Sequence, residues 1–274
     1  MNYRDILSLW SAAMTGKFAI VTGASTGIGL ELARCCAKDG YDLLIAADEA
    51  AIEDAASLLR QVRGAANIQA LEADLATMEG VDKLVAAAAR RPVDLLIANA
   101  GRGLGDAFLD QEFGKIRKVI DTNVLGTTYL LHKVVGEMRN SNEGRVLITG
   151  SIAGFTPGSF QAVYNASKAY LNSLSFALRE ELSDTNITVT CLMPGATETE
   201  FFRRADMLDT KVGTDEKDDA AMVAQSGYKA MLKGESDVVT GMKNKIQSAV
   251  ANVVPNEMLA KQHRKMAEPG TAEK

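Results

Sequence analysis

KFAIVTGASTGIGLELARCCAKDG, residues 17–40, decides the fold. It begins with an unbroken apolar run, Phe18-Ala19-Ile20-Val21, passes through TGASTGIG at 22–29, and continues with helical spacing from Leu30. An apolar run without polar alternation suits a strand covered on both faces of a parallel sheet. Gly23 permits a tight turn out of the strand, Gly27 leaves the backbone open to close approach, and Gly29 lets helix and strand pack closely. Ser25, Thr26 and Ile28 complete the turn. The helix starting there offers free N–H groups and the positive end of its dipole, which together make a phosphate cradle. The spacing is Gly-x-x-x-Gly-x-Gly, not the commoner Gly-x-Gly-x-x-Gly.

Working outward, apolar runs at 42–47, 68–73, 94–98, 145–149, 187–192 and 237–240 alternate with helical patterns near 27–39, 49–63, 77–90, 112–139, 161–184 and 216–233. This alternation predicts an α/β, doubly wound Rossmann fold, with a central parallel sheet of about seven strands and helices on both faces. No linker or repeat interrupts it, so residues 1–274 read as one domain. Residues 1–15 form an N-terminal extension with a short amphipathic helix through Ile6, Leu7, Leu9 and Trp10. Residues 242–274 form a C-terminal helix, helical over 242–266, and a frayed tail, EPGTAEK. Residues 196–215, with no sustained periodicity, read as a mobile substrate lid.

Composition excludes several classes. The net charge of −5 weighs against nucleic-acid and anionic-membrane partners. No apolar stretch reaches the ~18 residues of a membrane span. Arg4 and Asp5 precede only a short apolar run, so the N-terminus does not read as a signal peptide and the expected location is cytoplasmic. Three cysteines, Cys35, Cys36 and Cys191, read as free thiols rather than a disulfide framework. Two distant histidines, His132 and His263, give no metal-ligand spacing and nothing for a Ser-His-Asp triad.

Asp48 ends the second apolar run, about twenty residues past the glycine turn, where an acid holds ribose hydroxyls in dinucleotide folds. Asn123 falls on the apolar stripe of the 112–139 helix, among Phe113, Ile116, Val119, Ile120, Val124, Thr127 and Leu130. A buried amide costs about 1–3 kcal/mol unless it finds partners, either in neighbouring backbone or in a functional site. Tyr164 and Lys168 lie four apart on one face of the next long helix. A lysine charge there stabilises tyrosinate and lowers the tyrosine pKa from about 10, giving a general acid/base. Ser151 follows the apolar strand RVLIT and can hold a substrate oxygen at the carboxyl edge of the sheet.

Together these residues resemble the short-chain dehydrogenase/reductase family over roughly residues 17–240. TGASTGIG matches the family's cofactor turn, Asp74-Leu75 its adenine contact, and ANAG at 98–101 its NNAG, with Ala98 for the first Asn and Asn99, Ala100 and Gly101 kept. Asn123, Ser151, Tyr164 and Lys168 match the catalytic tetrad. Pro194-Gly195 and Thr199, with Thr197 between them, match the segment bordering the nicotinamide. The resemblance implies hydride transfer between NAD(P) and an alcohol or carbonyl substrate, with Tyr164 moving the proton, Ser151 orienting the oxygen, Lys168 holding the nicotinamide ribose, and Asn123 fixing a relay water. It also implies a homodimer or homotetramer. Asp48, and a glycine turn without Arg or Lys, favour NAD, with NADP the alternative. Phe155, Phe160, Phe201 and Phe202 are expected to line a partly apolar substrate pocket. The competing reading, a non-catalytic dinucleotide-binding sensor or scaffold, has no need of four tetrad residues together.

Overall fold

The computed structural model describes residues 16–89, 91–251 and 253–272. The extension at 1–15 and its expected helix lie outside these. The described chain runs β1 (Phe18–Thr22), α1 (Gly27–Lys38), β2 (Asp42–Ala47), α2 (Ala51–Arg60), β3 (Ile68–Glu72), α3 (Met78–Ala87) and β4 (Leu95–Ala98). It continues with α4 (Phe113–Ile120), a π-helical stretch (Asp121–Gly126), α5 (Thr127–Ser141), β5 (Gly144–Thr149), α6 (Ala162–Glu181) and β6 (Ile187–Met193). Short helices α7 (Phe201–Arg204) and α8 (Lys211–Thr214) precede α9 (Ala220–Lys233), β7 (Asp237–Val239), α10 (Met242–Ala251) and α11 (Asn256–Ala267). The sheet has seven strands in the order β3-β2-β1-β4-β5-β6-β7, and every recorded pairing is parallel.

The apolar runs have the expected cause. In β1, Ala19 and Val21 face a layer with Leu32 of α1, Leu59 of α2 and Val223 of α9, while Phe18 and Ile20 face Leu84 of α3, Leu130 of α5 and Leu171 of α6. Successive residues of one strand thus enter opposite cores, so neither position tolerates a polar side chain. No described helix is long and apolar enough to cross a membrane.

Three expectations change. The 112–139 helix is not one α-helical stripe: Phe113 and Ile120 are 74% and 42% exposed, whereas Ile116, Val119 and Leu130 are buried. The π-helical stretch adds a residue to its turn and rotates the faces on either side relative to a 3.6-residue extrapolation. Residues 242–266 form two helices, because Pro255 supplies no N–H to continue the first. The tail is not frayed through residue 272: Thr271 Oγ1 accepts from the Lys211 N–H (3.0 Å), and the Ala272 N–H donates to the Asp209 carbonyl (3.0 Å).

Candidate active site

The carboxyl ends of β1, β4, β5 and β6 open into a cavity of about 840 Å³. Gly23, Ser25, Thr26, Gly27, Ile28 and Gly29 form one wall, Asp48, Asp74 and Leu75 its outer end, and Asn99, Ala100 and Gly101 its floor. Ser151, Tyr164 and Lys168 stand opposite, with Pro194, Gly195, Thr197 and Thr199 beside them. Of the catalytic and cofactor-binding residues expected from the sequence, Asn123 alone does not line it.

Packing fixes the glycine turn. A Cβ on Gly29 would lie 2.0 Å from the Gly23 carbonyl oxygen, and one on Gly27, at φ +58°, 2.8 Å from Thr199 Cγ2. Asn99 ties strand ends together: its Nδ2 donates to the Thr22 carbonyl (3.1 Å), and its Oδ1 accepts from Thr149 Oγ1 (3.1 Å). Thr26 at the start of α1 makes no side-chain cap. The first N–H groups of the helix therefore remain available beside the cavity, as an anionic phosphate requires. The turn, the β2 carboxylate and the Asn99 floor fit a dinucleotide.

The opposite wall is built from α6 and the end of β5. Lys168 is only 5% exposed, and its Nζ donates to the Thr149 carbonyl at 2.7 Å. That Nζ lies 5.9 Å from the centre of the Tyr164 ring. Ser151 Oγ donates to the Pro194 carbonyl (3.3 Å) and accepts from the Ala153 N–H (3.1 Å). Asn172, one turn beyond Lys168, brackets the Ser151 backbone: its Oδ1 accepts the Ser151 N–H (3.3 Å) and its Nδ2 donates to the Ser151 carbonyl (3.0 Å).

Burial dominates the electrostatics here. It pushes the half-buried Tyr164 hydroxyl up to about 12, against a smaller opposing effect from a hydrogen bond with Ser151. Burial also draws the Lys168 ammonium down to about 8. The expected lowering of Tyr164 by Lys168 is thus not what this arrangement gives. Desolvation is the largest influence on Tyr164, and the Lys168 ammonium is directed at the Thr149 carbonyl.

Asn123 is fully buried in the π-helical stretch. Its Nδ2 donates to the Arg102 carbonyl and to Ser167 Oγ (both 2.9 Å), and its Oδ1 accepts the Arg102 N–H (2.8 Å). The amide clamps the loop after β4 to α6.

The 196–215 segment covers the cavity in a packed conformation. Phe202, Ala205 and Met207 are buried, and the Ala205 carbonyl accepts the Gly105 N–H at 2.8 Å. Phe201 sits 5.1 Å, centre to centre, from the Tyr164 ring, and a Cβ on Gly103 would lie 2.3 Å from its Cζ. Phe155 and Phe160 do not line the cavity, contrary to expectation. Phe160 packs with the Phe202 cluster beneath the Arg264 guanidinium. The far wall comes instead from Ile246 and Val250 of α10 and Leu259, His263 and Met266 of α11. His263 Nδ1 meets the Ser159 carbonyl at 2.9 Å, and burial lowers its pKa. Nothing in the sequence tied this C-terminal region to the site, because its residues meet the sheet edge only through tertiary packing.

Arg102 was likewise not anticipated, although its place directly after the matched ANAG was a usable signal. Its Nη2 pairs with Asp48 Oδ2, while Arg204 Nη2 reaches Glu49 Oε1 at 3.0 Å. Glu49 also accepts from Ser25 Oγ at 2.5 Å, and this hydrogen bond, ahead of the arginine, holds its carboxyl below its ordinary range. Among the described residues, no cluster of His, Cys, Asp and Glu could hold a metal ion.

The family model described as short chain dehydrogenase matches residues 17–207. An uncharacterized oxidoreductase of Myxococcus xanthus is 30% identical over 256 residues, covering 90% of this chain and 96% of that protein. A short-chain dehydrogenase from Sphingobium yanoikuyae, solved in complex with NADPH, superposes with a TM-score of 0.76 at 27% identity, over 87% of this chain and 96% of that one. The bulky-bulky ketone specific alcohol dehydrogenase from Comamonas testosteroni gives a TM-score of 0.71 at 25% identity, over 87% and 95% of the respective chains.

Proposed function

The chain belongs to the short-chain dehydrogenase family, and from that premise we propose that it reduces a ketone to a secondary alcohol, or runs the reverse reaction, with a nicotinamide dinucleotide. The observation that carries this reading is one cavity holding the glycine turn on one wall and Ser151, Tyr164 and Lys168 on the other.

The dinucleotide, when bound, supplies or accepts the hydride. The glycine turn and the first N–H groups of α1 hold its phosphates, and Asn99, Ala100 and Gly101 pack beneath it. Asp48 accepts from ribose hydroxyls, which favours NAD. Asp74 and Leu75 border the adenine, and Pro194, Gly195, Thr197 and Thr199 border the nicotinamide. Ser151 Oγ turns from the Pro194 carbonyl to hold the substrate oxygen. Tyr164, pushed up to about 12, holds its proton at neutral pH and is poised to donate it to a developing alkoxide. Lys168 keeps a positive charge beside that proton until pH approaches about 8. Asn123 positions the loop that carries Gly101. Residues 196–215 act as the substrate lid and exclude water when closed.

The substrate has an apolar group beside its carbonyl, because Phe201, Ile246, Leu259 and Met266 surround the open part of the cavity. The test is a panel of ketones with NADH and NADPH. Tyr164→Phe should cut turnover about 100-fold or more while changing dinucleotide affinity little. A variant keeping more than about a tenth of the rate removes Tyr164 from this role.

The assembly is proposed to be a homodimer or homotetramer. Phe113, Ile120, Leu125, Tyr170 and Phe176 leave large apolar groups exposed on α4, the π-helical stretch and α6. Light scattering at micromolar concentration checks this, and a fully active monomer would refute it.

A further inference from the structure

We propose that Arg102 is the cofactor-selecting cation of this enzyme: it recognises a 2′-phosphate, Asp48 is its resting counter-ion, and the site therefore takes NADP as well as NAD. The proposal rests on the oxidoreductase reading above and adds to it a residue from outside the glycine turn.

Topology supplies the first step. In the sheet, β1 lies between β2 and β4. Asp48 directly follows β2, and Arg102 lies four residues past the end of β4. Their ion pair therefore crosses the carboxyl end of β1, over the glycine turn, and both residues line the same cavity as that turn. The adenosine end of a dinucleotide held by the turn extends toward β2, so it meets this pair.

Charge supplies the second. A lone carboxylate at the end of β2 accepts ribose hydroxyls and repels a 2′-phosphate. Asp48 is not alone, because the Arg102 guanidinium faces it and offsets that repulsion. A guanidinium can exchange one carboxylate for the parallel oxygens of a phosphate, which it also binds in a bidentate manner. The exchange is cheap, since the Arg102 and Asp48 side chains keep 38% and 29% of their surface exposed and such pairs are weak.

Anchoring supplies the third. The Arg102 backbone is clamped in both directions by the buried Asn123 amide. Only the side chain has to swing. Arg204, another cation at this edge, is placed differently: its carboxylate partner Glu49 is also held by Ser25, and its own root lies on the 196–215 segment. Lys83 donates to the Glu72 carbonyl and Lys118 pairs with Asp74, whereas Arg102 is the cation that pairs with Asp48. The selecting role therefore falls on Arg102.

The experiment uses the full chain and needs no substrate. NADH and NADPH are titrated by nicotinamide fluorescence against wild type, Arg102→Ala, Arg102→Lys, Asp48→Asn and Arg204→Ala. Wild type should bind both with Kd values within about tenfold of each other. Arg102→Ala should weaken NADPH about tenfold or more and NADH less than about threefold, with partial recovery in Arg102→Lys. Asp48→Asn should tighten NADPH and weaken NADH. Equal weakening of both nucleotides by Arg102→Ala would overturn the proposal, as would a selective NADPH loss that appears in Arg204→Ala instead. Failure of wild type to bind either nucleotide would overturn the oxidoreductase reading as well. Unchanged thermal midpoints show that the variants are folded.

Discussion

The two faces of the cavity are made by different means. The wall formed by the ends of β1, β4 and β5, with α6 behind it, is held by backbone and short polar bonds: Asn99 to the Thr22 carbonyl, Lys168 to the Thr149 carbonyl, Asn172 to the Ser151 backbone. The cover, from residues 196–215 and helices α10 and α11, combines an apolar cluster of Phe202, Ala205, Met207 and Ala267 with hydrogen bonds to distant segments, such as Gly105 N–H to the Ala205 carbonyl and Ser159 Oγ to the Ala260 carbonyl. The difference separates two jobs. In the proposed reaction the wall must place phosphates and a proton donor within fractions of an ångström, which rigid elements and directional bonds accomplish. The cover must accept a particular shape and then release it, which apolar contacts between short helices allow.

The largest effect should come from the wall, where function is held at a cost in stability. Lys168 is buried, and its pKa falls from 10.5 to about 8 because burial penalises the ammonium. The sign follows. Between pH 8 and 10.5 the unfolded chain binds this proton and the folded chain does not, so this lysine makes folding progressively more favourable as pH rises through that window. Below pH 8 the full cost is present, and the difference between 10.5 and about 8 corresponds to about 3 kcal/mol at most. Lys168→Met removes the titrating group. The loss of the bond to the Thr149 carbonyl sets a constant offset, so the pH dependence is the quantity to read. Urea unfolding of both proteins from pH 7 to 10.5 should show wild type gaining up to about 3 kcal/mol relative to the variant. A difference that stays flat over that range would mean that the ammonium is not penalised, and that the wall carries no such cost.

The same contrast explains what could be read from the sequence. The wall was legible because its rules are local. Gly23, Gly27 and Gly29 answer to backbone geometry within eight residues, and Tyr164 and Lys168 to one helical turn. The inner strands were recognisable because both of their faces are buried, and although the edge strands β3 and β7 are partly exposed, the observed bounds of β1–β7 all fall within a residue of the apolar runs. Asn123 was placed on a buried stripe correctly, but the π-helical stretch that carries it displaced Phe113 and Ile120 to the surface, and no periodicity announces an inserted residue. The cover was poorly legible because its contacts join segments far apart in the chain. Ser159 Oγ reaching the Ala260 carbonyl spans about a hundred residues, and the tail at 270–272 is fastened by Asp209 and Lys211. Arg102 lies between these cases: adjacent to a legible motif, but meaningful only once β2 and β4 are known to flank β1.

The smaller effect should come from the cover and concerns discrimination rather than rate. Phe201 is the point where the cover touches the wall. Its ring lies 5.1 Å from that of Tyr164 and 5.3 Å from that of Phe202, and it occupies the space that any side chain at position 103 would need. A ring in that place limits how wide a group can sit beside the carbonyl that Tyr164 is proposed to protonate. Phe201→Ala should relieve that limit and raise kcat/KM for bulky ketones relative to small ones. A change of a few methylene groups in an apolar pocket is worth about 1–3 kcal/mol, so the ratio should move by about tenfold or somewhat more. Dinucleotide affinity should remain within about threefold, because Phe201 contacts Tyr164 and position 103 rather than the glycine turn. The neighbouring Thr199 does contact that turn, and its Oγ1 accepts the Phe201 N–H at 3.2 Å, so a backbone shift would be felt there. Measuring kcat/KM for a graded series of ketones, together with both nucleotide Kd values, separates the two. A parallel loss of nucleotide affinity and rate, with the ketone ratio unchanged, would show that the cover serves the cofactor and that the division between wall and cover is wrong at this residue.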